Sequence, residues 1–133
     1  MEATFRLARY VSGLGHWAEV TVHVTLADQA EVVVGEEAFA WLYRVYGPDA
    51  TTQGPAFDEV KKEAVDGVRH ALQALSAGAQ PVRVLITEIH DTPVDTNEGD
   101  VKFAAAHAVW QALGHEPEHR PWIREDGVVV FPE

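Results

Sequence analysis

His115, Glu116 and His119 lie in a segment, His-Glu-Pro-Glu-His at residues 115–119, that matches the H-E-x-x-H spacing of zinc peptidases. That chemistry needs both imidazoles one turn apart on a helix, with the glutamate beside a metal-bound water. Pro117 interrupts such a helix because proline lacks a backbone N–H and its ring collides with the preceding turn. The sequence therefore predicts a surface loop, in which these three side chains are candidates for adventitious metal binding rather than for catalysis.

Residues 91–100 form an acidic segment, Asp-Thr-Pro-Val-Asp-Thr-Asn-Glu-Gly-Asp, directly before a stretch with helical spacing. Carboxylates clustered near a glycine are typical of calcium loops, but the D-x-D-x-D-G spacing and the later bidentate glutamate are missing. Asp91 and Asp95 could form an acid–base pair, although any acidic turn offers one. Turn and helix-cap chemistry accounts for these residues, so we predict no metal here.

Other catalytic arrangements lack their defining residues. The chain has no cysteine, which removes thiolate nucleophiles, thiolate metal sites and disulfides. Ser12 and Ser76 stand outside any G-x-S-x-G motif. Gly13 and Gly15 lack both the third glycine of a dinucleotide loop and the lysine of a phosphate loop. The sequence predicts no nucleotide and no cofactor, and it favours a non-catalytic role while leaving enzymatic activity open.

The charge balance restricts the class of partner. Ten basic and 21 acidic residues among 133 give a net charge of −11. Phosphate binding depends on Lys and Arg, so this balance argues against free nucleic-acid binding and against anionic membranes. No apolar run approaches the about 18 residues that a membrane span requires, and no secretory signal is apparent at the start. We therefore expect a cytoplasmic protein.

Hydrophobic alternation predicts the strands that would position these residues. Strands are predicted at residues 3–11 and 82–89. A short strand at 31–34 is expected to pair with the strand before it, at 17–26, through a turn at 27–30. That preceding strand has the clearest pattern, with a buried face formed by Ala18, Val20, Val22, Val24 and Leu26.

Helical spacing predicts two long helices. The first begins at Pro55 and continues to about Leu75. The second covers about residues 97–113, with Asp95 and Glu98 as a capping-box-like start and His107 on the packing face.

Residues 36–46 are ambiguous, and an Asp-Gly pair at 126–127 predicts a C-terminal β-hairpin. The order of elements predicts an α+β sandwich with helices against one face of a sheet, in a single domain.

Four segments resemble, in order, the motifs of one known domain. Residues 13–20, Gly-Leu-Gly-His-Trp-Ala-Glu-Val, resemble a G-x-G-Q-[YF]-[GA]-x-V turn and strand. Residues 94–98, Val-Asp-Thr-Asn-Glu, with the following Lys-Phe-Ala-Ala at 102–105, resemble a V-D-S-S-E-M-A-F-K-x-A-A helix start. Gly67 takes the glycine position of a Y-I-P-A-V-x-x-G helix, and residues 81–89 fall on the strand after it. Over residues 3–113 the chain thus resembles domain IV of elongation factor G.

The resemblance implies the ribosomal protein S5 domain 2-like fold, a roughly four-stranded sheet with helices on one face and a left-handed βαβ crossover. In the elongation factor this domain is not the GTPase; its tip loops reach the decoding site of the small ribosomal subunit. The domain would occupy residues 1–113, and 114–133 would be an extension with a hairpin packed on the same domain. The tip loops correspond to residues 12–17 and 90–96, which makes the candidate binding residues Gly13, Leu14, Gly15, His16, Trp17, His90, Asp91, Thr92 and Asp95.

These observations leave three functions open. The resemblance implies a non-catalytic module that contacts the ribosome or a translation-related protein, and a basic patch would favour it, near Arg6, Arg9, Lys61, Lys62 and Lys102. The acidity, and Leu14 where the family has a basic residue, favour a protein-interaction module unrelated to the ribosome. A metal-binding protein or hydrolase that uses residues 115–119 is the third.

Overall fold

A computed structural model describes residues 1–132, which form one sheet of four strands, a small hairpin and three helices. The strands and helices follow the predicted order. Their bounds are β1 Glu2–Val11, β2 Leu14–Leu26, β3 Glu31–Val34, α1 Trp41–Tyr46, α2 Pro55–Gln73, β4 Val82–His90, α3 Asp100–Leu113, β5 Trp122–Ile123 and β6 Val129–Val130.

The main sheet has the strand order β1-β2-β4-β3, with β3 parallel to β4 and the other neighbours antiparallel. The predicted pairing of β3 with β2 is wrong. Both edges of β2 are already occupied, by β1 on one side and β4 on the other, so β3 joins the far edge of β4. The chain then returns to β4 through α1 and α2, which is a parallel crossover rather than a hairpin.

The core lies between one face of the sheet and the helices α2 and α3. The alternation predicted for β2 is confirmed, because Ala18, Val20, Val22 and Val24 are fully buried. Leu26 is the exception: it is 70% exposed, since it stands at the last position of the strand, where the chain leaves the sheet. The α+β sandwich with helices on one face is confirmed.

The two long helices pack closely through small residues. A Cβ atom at Gly67 of α2 would collide with the Lys102 backbone carbonyl of α3. Ala104, Ala105 and Ala108 on α3 are fully buried, as expected for a contact in which the backbones approach one another. The glycine of α2 therefore sets the distance between the helices.

Helix α3 begins at Asp100, three residues later than the capping-box pattern predicted. Neither Asp95 nor Glu98 caps the helix, because the preceding residue, Gly99, has the left-handed φ of 90° that turns the chain into it. Instead, Glu63 of α2 accepts hydrogen bonds from the backbone N–H groups of Val101 and Lys102, at 2.9 and 3.1 Å. The cap is thus supplied by a neighbouring helix, which local spacing cannot show.

The ambiguous segment 36–46 consists of turns followed by the short helix α1. Phe39 is buried, whereas Trp41 is anchored by a 2.7 Å hydrogen bond from its ring N–H to the Ile89 carbonyl. Among residues 1–132, none of the helices is long and apolar enough to cross a membrane.

The predicted C-terminal hairpin is confirmed as β5 and β6, joined by a turn in which Gly127 has a φ of 85°. The Arg124 N–H donates to the Val128 carbonyl at 2.9 Å, and the Gly127 N–H donates to the Arg124 carbonyl at 2.9 Å. The hairpin contacts the first part of the chain, because the Ser12 hydroxyl donates to the Glu125 carbonyl at 2.6 Å.

Candidate binding tip

Three segments meet at one end of the molecule, and we call this end the tip. They are the turn between β1 and β2, the loop at residues 91–99, and the turn of the C-terminal hairpin at 124–128. The Trp17 N–H donates to the Asp95 carbonyl at 3.0 Å, and the Asn97 side-chain amide donates to the Gly15 carbonyl at 2.5 Å. These bonds, with the Ser12 contact, fasten the three segments to one another.

A buried ionisable pair lies beneath the tip. His16 and Asp100 are both fully buried, and His16 Nδ1 donates to Asp100 Oδ1 at 2.6 Å. The second carboxylate oxygen, Oδ2, accepts the Asn97 backbone N–H at 2.7 Å. Asp100 therefore ties the first turn to the 91–99 loop at the start of α3. His16 Nε2 has no hydrogen-bond partner within residues 1–132.

Burial raises the pKa of three carboxyl groups in this region, of which Asp91 in the 91–99 loop is one. It raises the pKa of Asp100 against the opposing effects of the Asn97 N–H and His16. Burial also raises the pKa of Glu63, against its hydrogen bonds from Lys102 and Val101 and together with repulsion from Asp100. At both Asp100 and Glu63 the effect of desolvation on the pKa thus exceeds that of the hydrogen bonds. Burial of the charged carboxylates at these two positions therefore opposes folding.

Glycines at the tip mark close approaches of the backbone. A Cβ at Gly127 would lie 2.8 Å from Leu14 Cδ2, and one at Gly99 would lie 2.7 Å from Val129 Cβ. Both glycines also have positive φ values, which other residues adopt only with strain. The hairpin therefore sits tightly against the first turn and the 91–99 loop.

The outer surface of the tip exposes both aliphatic side chains and carboxylates. Leu14 is 41% exposed, Val94 is 86% exposed and Val128 is 47% exposed, one from each of the three segments. The exposed or half-buried carboxylates of the same segments are Asp91, Asp95, Glu98, Glu125 and Asp126. Exposed aliphatic side chains on a rigid support are typical of protein contact surfaces.

The structure places the predicted binding residues in different roles. Gly13 and Leu14 are exposed at the turn, whereas Gly15, Trp17, Asp91 and Asp95 are half-buried next to it. His16 is completely buried, so in this conformation it positions the turn and does not touch a partner.

Thr92 holds its own loop together. Its backbone N–H donates to Thr96 Oγ1 at 2.8 Å, and its hydroxyl accepts the Asp95 N–H at 3.0 Å. Thr96 in turn donates its hydroxyl to the Trp17 carbonyl at 2.5 Å. The 91–99 loop is thus a defined structure attached to β2.

His90 belongs to a separate cluster at the end of β4. Its ring stacks on Trp41 with centroids 4.2 Å apart, and its Nε2 lies 3.2 Å from Glu88 Oε2. Burial raises the pKa of Glu88, but hydrogen bonds from Arg44 and His90 outweigh it and bring the pKa below its usual range. The structure therefore does not bring His90 together with His16.

The segment that contains His115, Glu116 and His119 follows the end of α3 and is not helical. Within it, Glu116 pairs with Arg120. Within residues 1–132 there is no group of three or more metal-ligating side chains. The H-E-x-x-H spacing therefore does not have the helical geometry that its chemistry needs.

The basic residues named as a possible patch lie on separate surfaces. Arg6 pairs with Glu19 at 2.7 Å on the outer face of the sheet, while Arg9 lies over the Phe103 ring on the helix side. Lys61 lies 6.0 Å from the Phe39 ring centroid, and Lys102 lies 4.1 Å from that of Phe131. Only Lys62 and Lys102 line a common cleft, so the five do not form one patch.

Sequence reasoning missed several residues that build the tip. Asp100, Asn97 and Thr96 provide several of its side-chain hydrogen bonds, and Val128 provides part of its outer surface. Asp100 is 84 residues from His16 along the chain, so no local spacing connects them. The acidic segment itself was the available signal, since short polar side chains before a helix commonly bond to nearby backbone.

Comparisons with known proteins address the fold. No protein-family model matches the chain, and no curated protein sequence matches it. Among solved structures, it is similar to the crystal structure of ttk003000868 from Thermus thermophilus, with a TM-score of 0.60 and 13% identity. The similarity covers 86% of this chain but only 16% of that chain. At this identity the resemblance is distant, and it concerns the fold alone.

A second similarity, to Streptococcus pneumoniae phosphomevalonate kinase in complex with phosphomevalonate and AMPPNP, has a TM-score of 0.37 and 7% identity. It covers 89% of this chain and 38% of that chain, and at that score it carries no argument. The similarity to the Thermus structure, at a TM-score of 0.60, confirms the fold expected from the sequence, the ribosomal protein S5 domain 2-like two-layer sandwich.

Proposed function

We propose that this protein is a non-catalytic binding module that resembles domain IV of elongation factor G, and that its tip contacts a protein of the translation apparatus. The observation that supports it is that three segments joined by hydrogen bonds at the tip each expose an aliphatic side chain: Leu14, Val94 and Val128. The hydrogen bonds around Asp100 and Asn97 hold these segments in place before any partner binds. A surface fixed in advance loses less conformational entropy on association, which favours recognition.

The translation partner rests on the fold and on the sequence resemblance in the two tip segments. The tip of this chain differs from an RNA-binding surface in charge, because its three segments carry five exposed or half-buried carboxylates and one exposed basic side chain, Arg124, which pairs with Asp126. Phosphate groups would be repelled at such a surface. We therefore propose a protein component as the partner, and not ribosomal RNA.

A second candidate function is a protein-interaction module with no connection to the ribosome. The net charge of −11 and the dispersed basic residues favour it. Metal-dependent hydrolysis by residues 115–119 receives no comparable support.

Capture of partners from a lysate of the source organism, at low and at moderate salt, tests the proposal. We expect a discrete set of translation-related proteins that is retained at moderate salt, because apolar contacts are not screened. Ribosomal RNA that is lost steeply as salt rises would contradict a protein contact. A partner unconnected to translation would favour the second candidate.

A further inference from the structure

The tip opens into a groove that continues along α2. This groove has a volume of about 1300 Å³ and lies between α2, the 91–99 loop and the C-terminal hairpin. Leu14 and Thr92 line it at the tip end, and Phe131 lines it at the other. A partner seated on the tip could therefore extend a segment of its chain into the groove.

The groove has an apolar floor. Val60 from α2, Val101 from α3 and Val129 from the hairpin line it, and Val128 stands exposed at its margin. Val60 and Val129 are half-buried, so a bound segment would remove more of their surface from water. Apolar surface from three elements suits the apolar face of an amphipathic segment.

The walls of the groove are strongly acidic. Six carboxylates line it, against the two ammonium groups of Lys62 and Lys102. Part of this charge is already engaged: Glu63 caps α3, Asp66 lies 4.0 Å from the Lys62 ammonium, and Asp126 pairs with Arg124. Glu59 on α2 and Glu98 on the loop are exposed, and within residues 1–132 neither enters an ion pair. These two side chains offer negative charge on opposite sides of the apolar floor.

We infer that this groove binds a basic amphipathic segment of the partner protein, with Lys or Arg side chains toward Glu59 and Glu98 and apolar side chains on the floor. The inference rests on the proposed function, since the groove begins at the tip. Charge complementarity favours a basic segment in the groove. An acidic segment or a nucleic acid would be repelled, because its negative charge would lie next to the six carboxylates.

The test uses the full chain and a labelled synthetic peptide of about 18 residues in which Lys and Leu form an amphipathic helix, a length at which isolated helices begin to be stable. Two control peptides replace Leu by Ser or Lys by Glu. Fluorescence anisotropy measures the dissociation constant, and amide chemical shifts locate the contact. We expect saturable binding of the Lys/Leu peptide only, with shifts confined to α2, the 91–99 loop and the hairpin.

Two double variants that remove the same charge distinguish binding of the peptide in the groove from a general attraction between the basic peptide and the acidic protein. Glu59→Gln with Glu98→Gln should weaken binding about fivefold, because two exposed ion pairs are lost. Glu36→Gln with Asp49→Asn, which removes the same charge at exposed positions outside the groove lining, should change it less than twofold. Equal weakening in both variants, or shifts spread over the whole surface, would overturn the inference.

One further variant tests the proposed function independently of the groove. Val94 lies on the tip but does not line the groove, so Val94→Ser reports on tip contact alone. Partner capture that depends on Val94 while the peptide does not bind would overturn the groove and keep the proposed function. Peptide binding with no dependence of capture on Val94 would contradict the tip contact.

Discussion

His16 Nδ1 and Asp100 Oδ1 lie 2.6 Å apart, and both side chains are fully buried beneath the tip. One comes from the start of β2 and the other from the first residue of α3. Their contact joins two of the segments that the recognition surface requires. We therefore regard this pair as the support of the tip and the exposed residues as its contact surface.

Removing either member of the pair should destabilise the fold strongly. His16→Ala or Asp100→Ala leaves the other polar group buried without its partner, at a cost of about 3 kcal/mol. Urea unfolding measures the change, and His23→Ala, an exposed histidine of the same strand, is the matched control with a change within about 0.5 kcal/mol. A loss of less than about 1 kcal/mol for both core variants would show that the pair does not support the tip.

Glu63 should be more important to stability than its neighbour Glu59 on the same helix. Glu63→Ala removes the acceptor for the Val101 and Lys102 N–H groups, which should cost about 1 kcal/mol, as for other helix caps. Glu59→Ala, at an exposed position, should be close to neutral. Thermal or urea unfolding of the two variants measures the difference, and equal effects would contradict a capping role.

Gly67→Ala should destabilise the contact between α2 and α3. The added methyl collides with the Lys102 carbonyl, which is backbone and can move only with its helix, so we expect a loss of about 1–3 kcal/mol. Gly78→Ala is the control, because nothing lies within 4 Å of a Cβ at that position. If Gly67→Ala is as stable as the control, α2 and α3 can move apart enough to accept the methyl group without a loss of stability.

Acid should destabilise the protein partly through His107. Burial lowers the pKa of this residue from 6.5 to about 4, with help from the charges of Arg120 and Arg9. Its ring packs between Phe5 and Phe103, with centroids 4.7 Å away in each case. Because the unfolded chain binds the proton more readily, this contribution to stability is complete above pH 6.5 and is lost as pH falls toward 4.

The melting temperature of His107→Gln should therefore decline less than that of the wild type between neutral pH and about pH 4.5, near the lowered pKa of His107. The raised pKa values of Glu63, Asp91 and Asp100 favour the folded state as pH falls, which opposes the effect of His107. These three groups are present in both the wild type and His107→Gln, so they do not affect the comparison. His23→Gln, on the outer face of the sheet, should keep the wild-type slope. Parallel slopes for His107→Gln and the wild type would exclude His107 as a source of acid sensitivity.

Local patterns predicted most of the fold because its strands and helices carry clear periodicity. The alternation of Val20, Val22 and Val24 and the Asp-Gly turn at 126–127 both appear in the structure as expected. The pairing of β3 was not predictable in this way, since it depends on which edge of the sheet is free after β4 has joined β2.

The site was less predictable than the fold. The resemblance indicated the turn at 12–17 and the loop at 90–96, which hydrogen bonds join in the structure, but it treated His16 as a surface residue. The burial of His16 depends on Asp100 and on the hairpin, whose Gly127 lies close to Leu14 above it. Such contacts arise only when distant segments pack, so spacing along the chain carries no sign of them.

Comparison of partner capture by Val94→Ser and Val45→Ser tests the account most directly. Both are exposed valines, the first on the tip and the second on α1, so each variant removes a similar apolar side chain with little effect on stability. Capture is measured by quantitative proteomics on matched amounts of folded protein. We expect Val94→Ser to retain less than about a third of the wild-type partner, while Val45→Ser retains it all, since a contact residue at the centre of an interface contributes about 1 kcal/mol or more. Equal capture by both variants would contradict a recognition role for the tip.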